Sequence, residues 1–356
     1  MRILHVSRTM GQGGAEKIVF QLCRDNKNCE QFVVSCGGNY VSELESIGIR
    51  HFMMPDIDNK NPLIVLKVLS ILLKIVRKEH IDIIHSHHRM ALFYGRIVSV
   101  LTGVKSVYTA HNVFLDKRFL LRFSLKNSSI VAVGDGVKKN LIEYYGISEK
   151  RVDTIYNSVK VNKSGEVQSI LIEKKNSGKL LIGNIGRLSR QKGIDIFIRA
   201  LKCVVKKYPN TVGVIVGDGE DRNELESLVN DLYLTENVVF MGFQNNVLDI
   251  IEQLDFVVLS SRWEGLPLTP IETFSQKKTI IASNITGNNE LVLEGKNGLT
   301  FQMDNVAELA SKIEMLIGDK YLLQKLEEGA KYTYDCKYSY DRFIEGYQSV
   351  YHQIEK

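Results

Sequence analysis

Two carboxylates and a pair of cations are the side chains of this sequence best placed to do chemistry. In Ser260-Ser261-Arg262-Trp263-Glu264-Gly265-Leu266-Pro267-Leu268-Thr269-Pro270-Ile271-Glu272, an apolar run gives way to a Gly/Pro loop that opens a helix. Glu264 lies in the loop and Glu272 about a turn into the helix. Ionised carboxylates only accept hydrogen bonds, so a pair spaced in this way suits the vicinal hydroxyls of a polyhydroxylated ligand. The helix start between them adds unpaired backbone amides. The helix dipole explains a glutamate there equally well without any ligand. Upstream, Gly186-Arg187-Leu188-Ser189-Arg190-Gln191-Lys192-Gly193 follows another apolar run. Arg187 and Lys192 thus sit beyond the carboxyl end of a strand, where open α/β sheets bind their ligands. Two cations there suit a diphosphate, although a solvated loop carries the same residue types.

Nearer the N-terminus, Ser7-Arg8-Thr9-Met10-Gly11-Gln12-Gly13-Gly14-Ala15-Glu16 joins a strand to an apolar helix expected over 17–23. Glycines at such a junction let backbone N–H groups approach an anion at the helix's positive end. A tight turn without a ligand uses the same residues. A dinucleotide fingerprint starting at Gly11 needs glycine where Glu16 stands, which disfavours a nicotinamide-dependent oxidoreductase. His85-Ser86-His87-His88 has no neighbouring Asp, Glu or Cys to complete a ligand set, so no metal is expected. His111 falls at the carboxyl end of a strand, where it either faces a ligand or satisfies loop polar groups.

Short buried strands are needed to deliver these loops. Apolar runs at 2–7, 31–35, 81–85, 104–109 and 129–133, then at 179–185, 212–216, 238–241, 256–259 and 279–283, alternate with amphipathic segments. Continuous apolar strands between helices imply parallel sheets with both faces covered, and two such sets imply two doubly wound α/β domains. At ~100–200 residues per domain, 356 residues agree with two. The polar stretch 160–178 is the expected joint. Aromatics at Tyr340, Phe343, Tyr347 and Tyr351 predict a final helix over 338–354 able to pack on either domain.

Charge separates the two halves. Residues 1–165 carry 24 Lys+Arg against 14 Asp+Glu, and the remainder 22 against 27. A basic half points to a polyanion or an anionic membrane surface, and the acidic other half argues against nucleic acid all round. In Leu63 to Lys78, cations oppose an apolar face of Ile64, Val68, Ile71, Leu72 and Ile75, as in a helix that covers a sheet. In FLDKRFLLRFSLK, Lys117, Arg118, Arg122 and Lys126 crowd against Phe119, Leu120, Leu121 and Phe123, and membrane or lipid-phosphate contact is an equal alternative there. Five cysteines without CxxC spacing, an apolar strand beginning at MRILHV and no run of ~20 uncharged residues lead us to expect a cytoplasmic, non-secreted, non-integral protein.

In order along the chain, Gly13-Gly14-Ala15-Glu16, Ile84-His85-Ser86-His87, Thr109-Ala110-His111, Ile155-Tyr156-Asn157, Gly186-Arg187 with Lys192-Gly193, Gly217-Asp218-Gly219, and Glu264 with Glu272 form one ordered set. Through them the sequence resembles the retaining GT-B glycosyltransferases of family four, bacterial capsule or exopolysaccharide type, over nearly its full length. The resemblance implies two Rossmann-like domains facing a cleft. Residues 1–163 with the helix 338–356 would bind the acceptor, and 164–337 a nucleotide-sugar. It further implies that Arg187 and Lys192 neutralise the donor diphosphate, Glu272 binds the ribose and Glu264 holds the donor sugar. Gly13 and Gly14 would close over phosphate and sugar, with His111 at the reaction centre. Gly242, Phe243 and Gln244 would meet the base, and Gly265, Leu266 and Leu268 complete the donor stretch.

No cofactor or metal is implied. A UDP-sugar is the expected donor, a lipid-linked or glycan acceptor the expected partner, and the inner membrane face the expected location, with Lys117, Arg118, Arg122 and Lys126 toward membrane and acceptor. The sequence departs from the family pattern at Ser158-Val159-Lys160, at Gly134-Asp135-Gly136 and at Asn288-Asn289. Three other readings compete: a metal-dependent transferase centred on Asp56-Ile57-Asp58, a nucleotide-sugar epimerase of the same architecture, and a non-catalytic subunit that presents the acceptor.

Overall fold

A computed structural model describes residues 1–11, 13–161 and 168–355. The chain divides into two compact units, Met1–Asn157 with Tyr340–Lys356, and Ser158–Ser339. The boundary expected at 163/164 lies in 162–167, outside the described residues.

The first unit is built on a parallel sheet of β1 (Arg2–Val6), β2 (Glu30–Ser35), β3 (Arg50–Met53), β4 (Ile83–Ser86), β5 (Lys105–Ala110), β6 (Ser129–Ala132) and β7 (Val152–Thr154), in the order 3-2-1-4-5-6-7. The second holds β8 (Leu180–Ile185), β9 (Thr211–Val216), β10 (Val238–Phe240), β11 (Phe256–Leu259), β12 (Ile280–Ser283) and β13 (Gly298–Phe301), in the order 10-9-8-11-12-13. Both are doubly wound Rossmann-like sheets. All ten apolar runs are strands. The three strands absent from the expectation, β3, β7 and β13, are all at sheet edges, where fewer neighbours demand apolar side chains.

Side chains alternate along a strand, so each sheet face has its own composition. On one face of the first sheet, Leu4, Val6, Phe32, Val34 and Ile84 pack against Val68, Leu72, Ile75 and Val76 of the helix Pro62–Lys78. Each such buried side chain contributes roughly 1.5–3 kcal/mol. That helix therefore covers the sheet. Asn61 caps it by accepting from the Leu63 amide at 3.0 Å, ahead of a proline in the first turn.

The opposite face is polar at its centre, with Gln31, His5, His85 and Thr109 in neighbouring strands. The final helix, Tyr340–Glu355, covers it. Tyr351 Oη lies 2.7 Å from His85 Nδ1, Tyr347 Oη 3.1 Å from Thr109 Oγ1, and Tyr340 donates to Asp25 at 2.6 Å. The aromatics expected to anchor this helix do so, on the first unit. In the second unit, the helices Ile194–Lys207 and Val306–Gly318 close the core over β8, β9, β11 and β12. Among the described residues no helix is long and apolar enough to cross a membrane, and none of the five cysteines is in a disulfide.

Candidate active site

In the second unit the strand order reverses between β8 and β11, and the loops after these two strands hold the expected cations and carboxylate. This is the switch point at which open α/β sheets bind ligands. Lys192 Nζ lies 2.6 Å from Glu264 Oε1, which also accepts from Ser261 Oγ at 2.7 Å. Both ionic side chains are largely buried, at 18% and 7% exposure. Ser260 Oγ donates to the Lys192 carbonyl at 3.1 Å and accepts from Asn184 Nδ2 at 3.1 Å. The two loops run so close that a Cβ on Gly193, at φ +59°, would stand 2.2 Å from the Ser260 carbonyl. Only glycine fits there. Arg262 reinforces the joint by bridging Asp195 and Asp304 and donating to the Arg190 carbonyl.

Arg187 shares the Lys192 loop but is exposed, 3.0 Å from Glu220. Gly217-Asp218-Gly219 backs this loop. The Asp218 carbonyl accepts from the Leu188 amide at 3.0 Å, and a Cβ on Gly217, at φ +135°, would reach 1.9 Å from the Gly186 carbonyl. Past β11, Leu266 is buried, Leu268 begins the helix Leu268–Ser275, and Glu272 is buried in its second turn. Gly242, Phe243 and Gln244 follow β10 in the same sheet. Gly242 accepts from the Gly217 amide at 2.8 Å, Gln244 folds onto the Met241 carbonyl, and Phe243 is exposed. The structure thus gathers the expected donor residues of this unit along one end of one sheet.

In the first unit, Gly13 precedes the helix Gly14–Asp25, which begins earlier than expected. The Glu16 carboxylate folds back over Gly13 and accepts from Thr9 Oγ1 at 3.2 Å. The Glu16 carboxylate thereby occupies the space beside Gly13. Asp56 and Asp58 both bind Arg8, at 2.8 and 3.0 Å, and this guanidinium holds Asp56 below the usual carboxylate range. The D-x-D spacing serves an internal clamp.

The sequence reading missed the role of His5. Its Nδ1 lies 2.9 Å from His87 Nε2, and His87 Nδ1 lies 3.2 Å from His111 Nε2. Period-two placement was the available signal, since His5, His85 and His87, Thr109 and His111 project from one face. Burial pushes His5 and His111 down to about 4, and His85 and His87 well below the usual imidazole range. His5, His85 and His87 each offer a nitrogen within 4.8 Å of the others. Their ring nitrogens are already hydrogen-bonded, to one another or to Gln31, Thr109, Tyr351 and His111, so a metal would have to displace those bonds.

Lys117, Arg118, Arg122 and Lys126 are all exposed on and around the short helix Arg118–Ser124, and among the described residues none forms an ion pair. Leu115, Phe119 and Phe123 are exposed beside them, Phe119 at 89%. A cavity of about 170 Å³ adjoins this helix, lined in part by Lys60, His88, Arg89, Lys117 and Leu120.

Two Rossmann-like domains, the second with a cation–carboxylate pair at its switch point, define a two-domain α/β protein with a candidate ligand site at that point. Family comparison agrees. Residues 12–163 match glycosyltransferase family 4, and residues 169–333 match the group 1 glycosyl transferases. An Escherichia coli UDP-Gal:alpha-D-GlcNAc-diphosphoundecaprenol alpha-1,3-galactosyltransferase is 30% identical over 297 residues, 77% of this chain and 76% of the relative. A Staphylococcus aureus capsular polysaccharide biosynthesis glycosyltransferase, CapM, is 24% identical over 93% of this chain and 91% of its own. Among solved structures, Anabaena Alr3699/HepE in complex with UDP superposes with a TM-score of 0.84 at 21% identity, covering 99% and 100% of the two chains. A Rickettsia africae glycosyltransferase gives 0.85 at 24% identity, covering 100% and 98%. The chain belongs to the group 1, family-four glycosyltransferases, GT-B in fold. It transfers a sugar from a nucleotide-sugar.

Proposed function

We propose that this protein is a retaining, metal-independent transferase that moves a sugar from a UDP-sugar to a lipid-linked glycan acceptor in cell-surface polysaccharide synthesis. The observation that carries the reading is the largely buried Lys192–Glu264 pair at the β8/β11 switch point, with Arg187 on the same loop. Cleavage of the anomeric C–O bond leaves negative charge on the diphosphate, and fixed cations stabilise that charge as it develops. In the proposed step, the diphosphate displaces the carboxylate partners of Lys192 and Arg187. Glu264 then accepts from sugar hydroxyls and Glu272 from the ribose. Gly13 and Gly14 contact the phosphate, and the backbone around Gly242 to Gln244 the base. On one face of the sugar, the acceptor oxygen bonds to the anomeric carbon as the bond to the leaving oxygen breaks. The leaving phosphate takes the acceptor's proton, so neither a protein nucleophile nor a metal enters the balance.

Relatives support the choice of substrates. The E. coli relative is named for UDP-galactose and a diphosphoundecaprenol acceptor, and HepE has been solved with UDP-glucose. Residues 1–163 with 338–356 are assigned to the acceptor, 164–337 to the donor. The exposed Lys117, Arg118, Arg122 and Lys126, interleaved with Phe119 and Phe123, are assigned to an anionic membrane surface on the cytoplasmic side.

Thermal unfolding of the full chain with UDP-, GDP- and dTDP-sugars tests the donor. A ligand at 100 times its Kd stabilises by about 2.7 kcal/mol. Stabilisation by UDP-sugars in wild type, reduced in Arg187→Ala/Lys192→Ala, is expected. Equal stabilisation of both proteins would remove the diphosphate from these cations.

A further inference from the structure

Four polar side chains from four adjacent strands form an unbroken hydrogen-bonded row: Gln31 on β2, His5 on β1, His87 just past β4 and His111 just past β5. The row has a direction. Gln31 Nε2 donates to the Asn26 carbonyl at 3.3 Å, an atom that can only accept, so the amide oxygen of Gln31 is the atom facing His5. His5 Nε2, 2.8 Å from that oxygen, must carry a hydrogen. A neutral imidazole has one N–H, which leaves His5 Nδ1 an acceptor. Its neighbour His87 Nε2 must then donate, His87 Nδ1 must accept, and His111 Nε2 must donate. His111 Nδ1 is left with its lone pair, and it has no hydrogen-bond partner among the described residues.

We propose that Gln31 fixes the tautomer of His111 through His5 and His87, so that His111 presents an unprotonated Nδ1 to a hydroxyl of the sugar substrate. Gln31, His5 and His87 are positioning residues. The assignment of a substrate hydroxyl rests on the proposed function, whereas the tautomer stands without it. The rings stay neutral because desolvation lowers all three. A neutral row can hold one proton order or its reverse, and only an end group that cannot swap donor for acceptor chooses between them. Gln31, itself held by the Asn26 carbonyl, is that group. Reversal would place N–H on His111 Nδ1 and turn it from acceptor to donor toward the hydroxyl it faces. His85 stands outside the row, bonded to Thr109 and Tyr351.

Long-range proton–nitrogen NMR of the ¹⁵N-histidine-labelled full chain at pH 7.5 reads each ring directly. The proposal expects the Nε2–H tautomer for His5, His87 and His111 alike in the free protein, and a mixed tautomer for His111 in Gln31→Leu. An Nδ1–H or mixed His111 in wild type overturns it, as does an unchanged His111 in folded Gln31→Leu. So does zinc that, added alone, displaces the His5 or His87 proton. Because the wild-type spectrum needs neither a substrate nor a folded variant, it decides the proposal even where no transfer has been measured. With an acceptor in hand, Gln31→Leu is expected to lose kcat while KM for the nucleotide-sugar holds. A loss confined to KM would contradict the positioning role.

Discussion

Replacing Lys192 with Met removes one half of an ion pair whose side chains are only 18% and 7% exposed. Breaking such a pair from one side costs about 3–5 kcal/mol, because the surviving charge stays buried without its partner. Glu264 keeps the Ser261 hydroxyl at 2.7 Å, which points to the lower end, about 3 kcal/mol. At about 2–4 °C per kcal/mol for a domain of this size, Lys192→Met should lower the unfolding temperature by about 6–12 °C. The double variant Lys192→Met/Glu264→Gln removes both charges and keeps an acceptor for Ser261. It should return to within about 1.5 kcal/mol of wild type, since a neutral pair leaves no buried charge to desolvate. Calorimetry of the full chain across the four proteins of this cycle isolates the coupling. If the single variant is no less stable than the double, the pair is not a buried electrostatic unit, and the picture of a cation held ready at the switch point fails.

Other expectations follow from the same geometry. Arg187 is 72% exposed, so Arg187→Ala should change stability by no more than about 0.5 kcal/mol. Steady-state kinetics should nevertheless show kcat/KM lower by ~2–4 kcal/mol, as Lys192→Ala should, and wild-type turnover in both would refute the donor assignment. His111→Ala should abolish transfer while calorimetry finds UDP affinity intact, whereas Glu272→Ala should weaken UDP; a large loss of UDP affinity in folded His111→Ala would remove that residue from its proposed place. Burial lowers His5 to about 4, so below its unfolded value of ~6.5 the unfolded chain binds the extra proton. The unfolding free energy from urea titrations should therefore fall as pH drops from 6.5 toward 4, by up to about 3 kcal/mol from this group, and a flat profile would mean the ring is charged or accessible in the fold. Co-sedimentation with anionic vesicles should weaken with salt and on changing Lys117, Arg118, Arg122 and Lys126 to Ser, each cation contributing ~1 kcal/mol. Equal binding to neutral vesicles would reopen a soluble acceptor.

Much of the frame was legible because parallel strands buried on both faces read as continuous apolar runs, and β8 with its Arg187 and Lys192 loop is such a case. The edge strands β3, β7 and β13 were not, being short and bordered on one side only. The donor loops were legible because glycine, proline and charge mark strand ends. Their pairing was not, since Lys192 and Glu264 are 72 residues apart and only the adjacency of β8 and β11 joins them. The same holds for Arg187 with Glu220 and for Arg262 with Asp195 and Asp304. The histidine row escaped because His5 stands alone in an apolar strand, where local pattern shows a polar exception without its partners.

Proton NMR of the product formed from an α-configured UDP-sugar and a short-chain lipid-diphosphate glycan tests the central claim most directly. The account predicts an α-linked product, one UDP released per bond formed, and a yield unchanged by chelator. A β-linked product, or a donor epimerised without transfer, would contradict it.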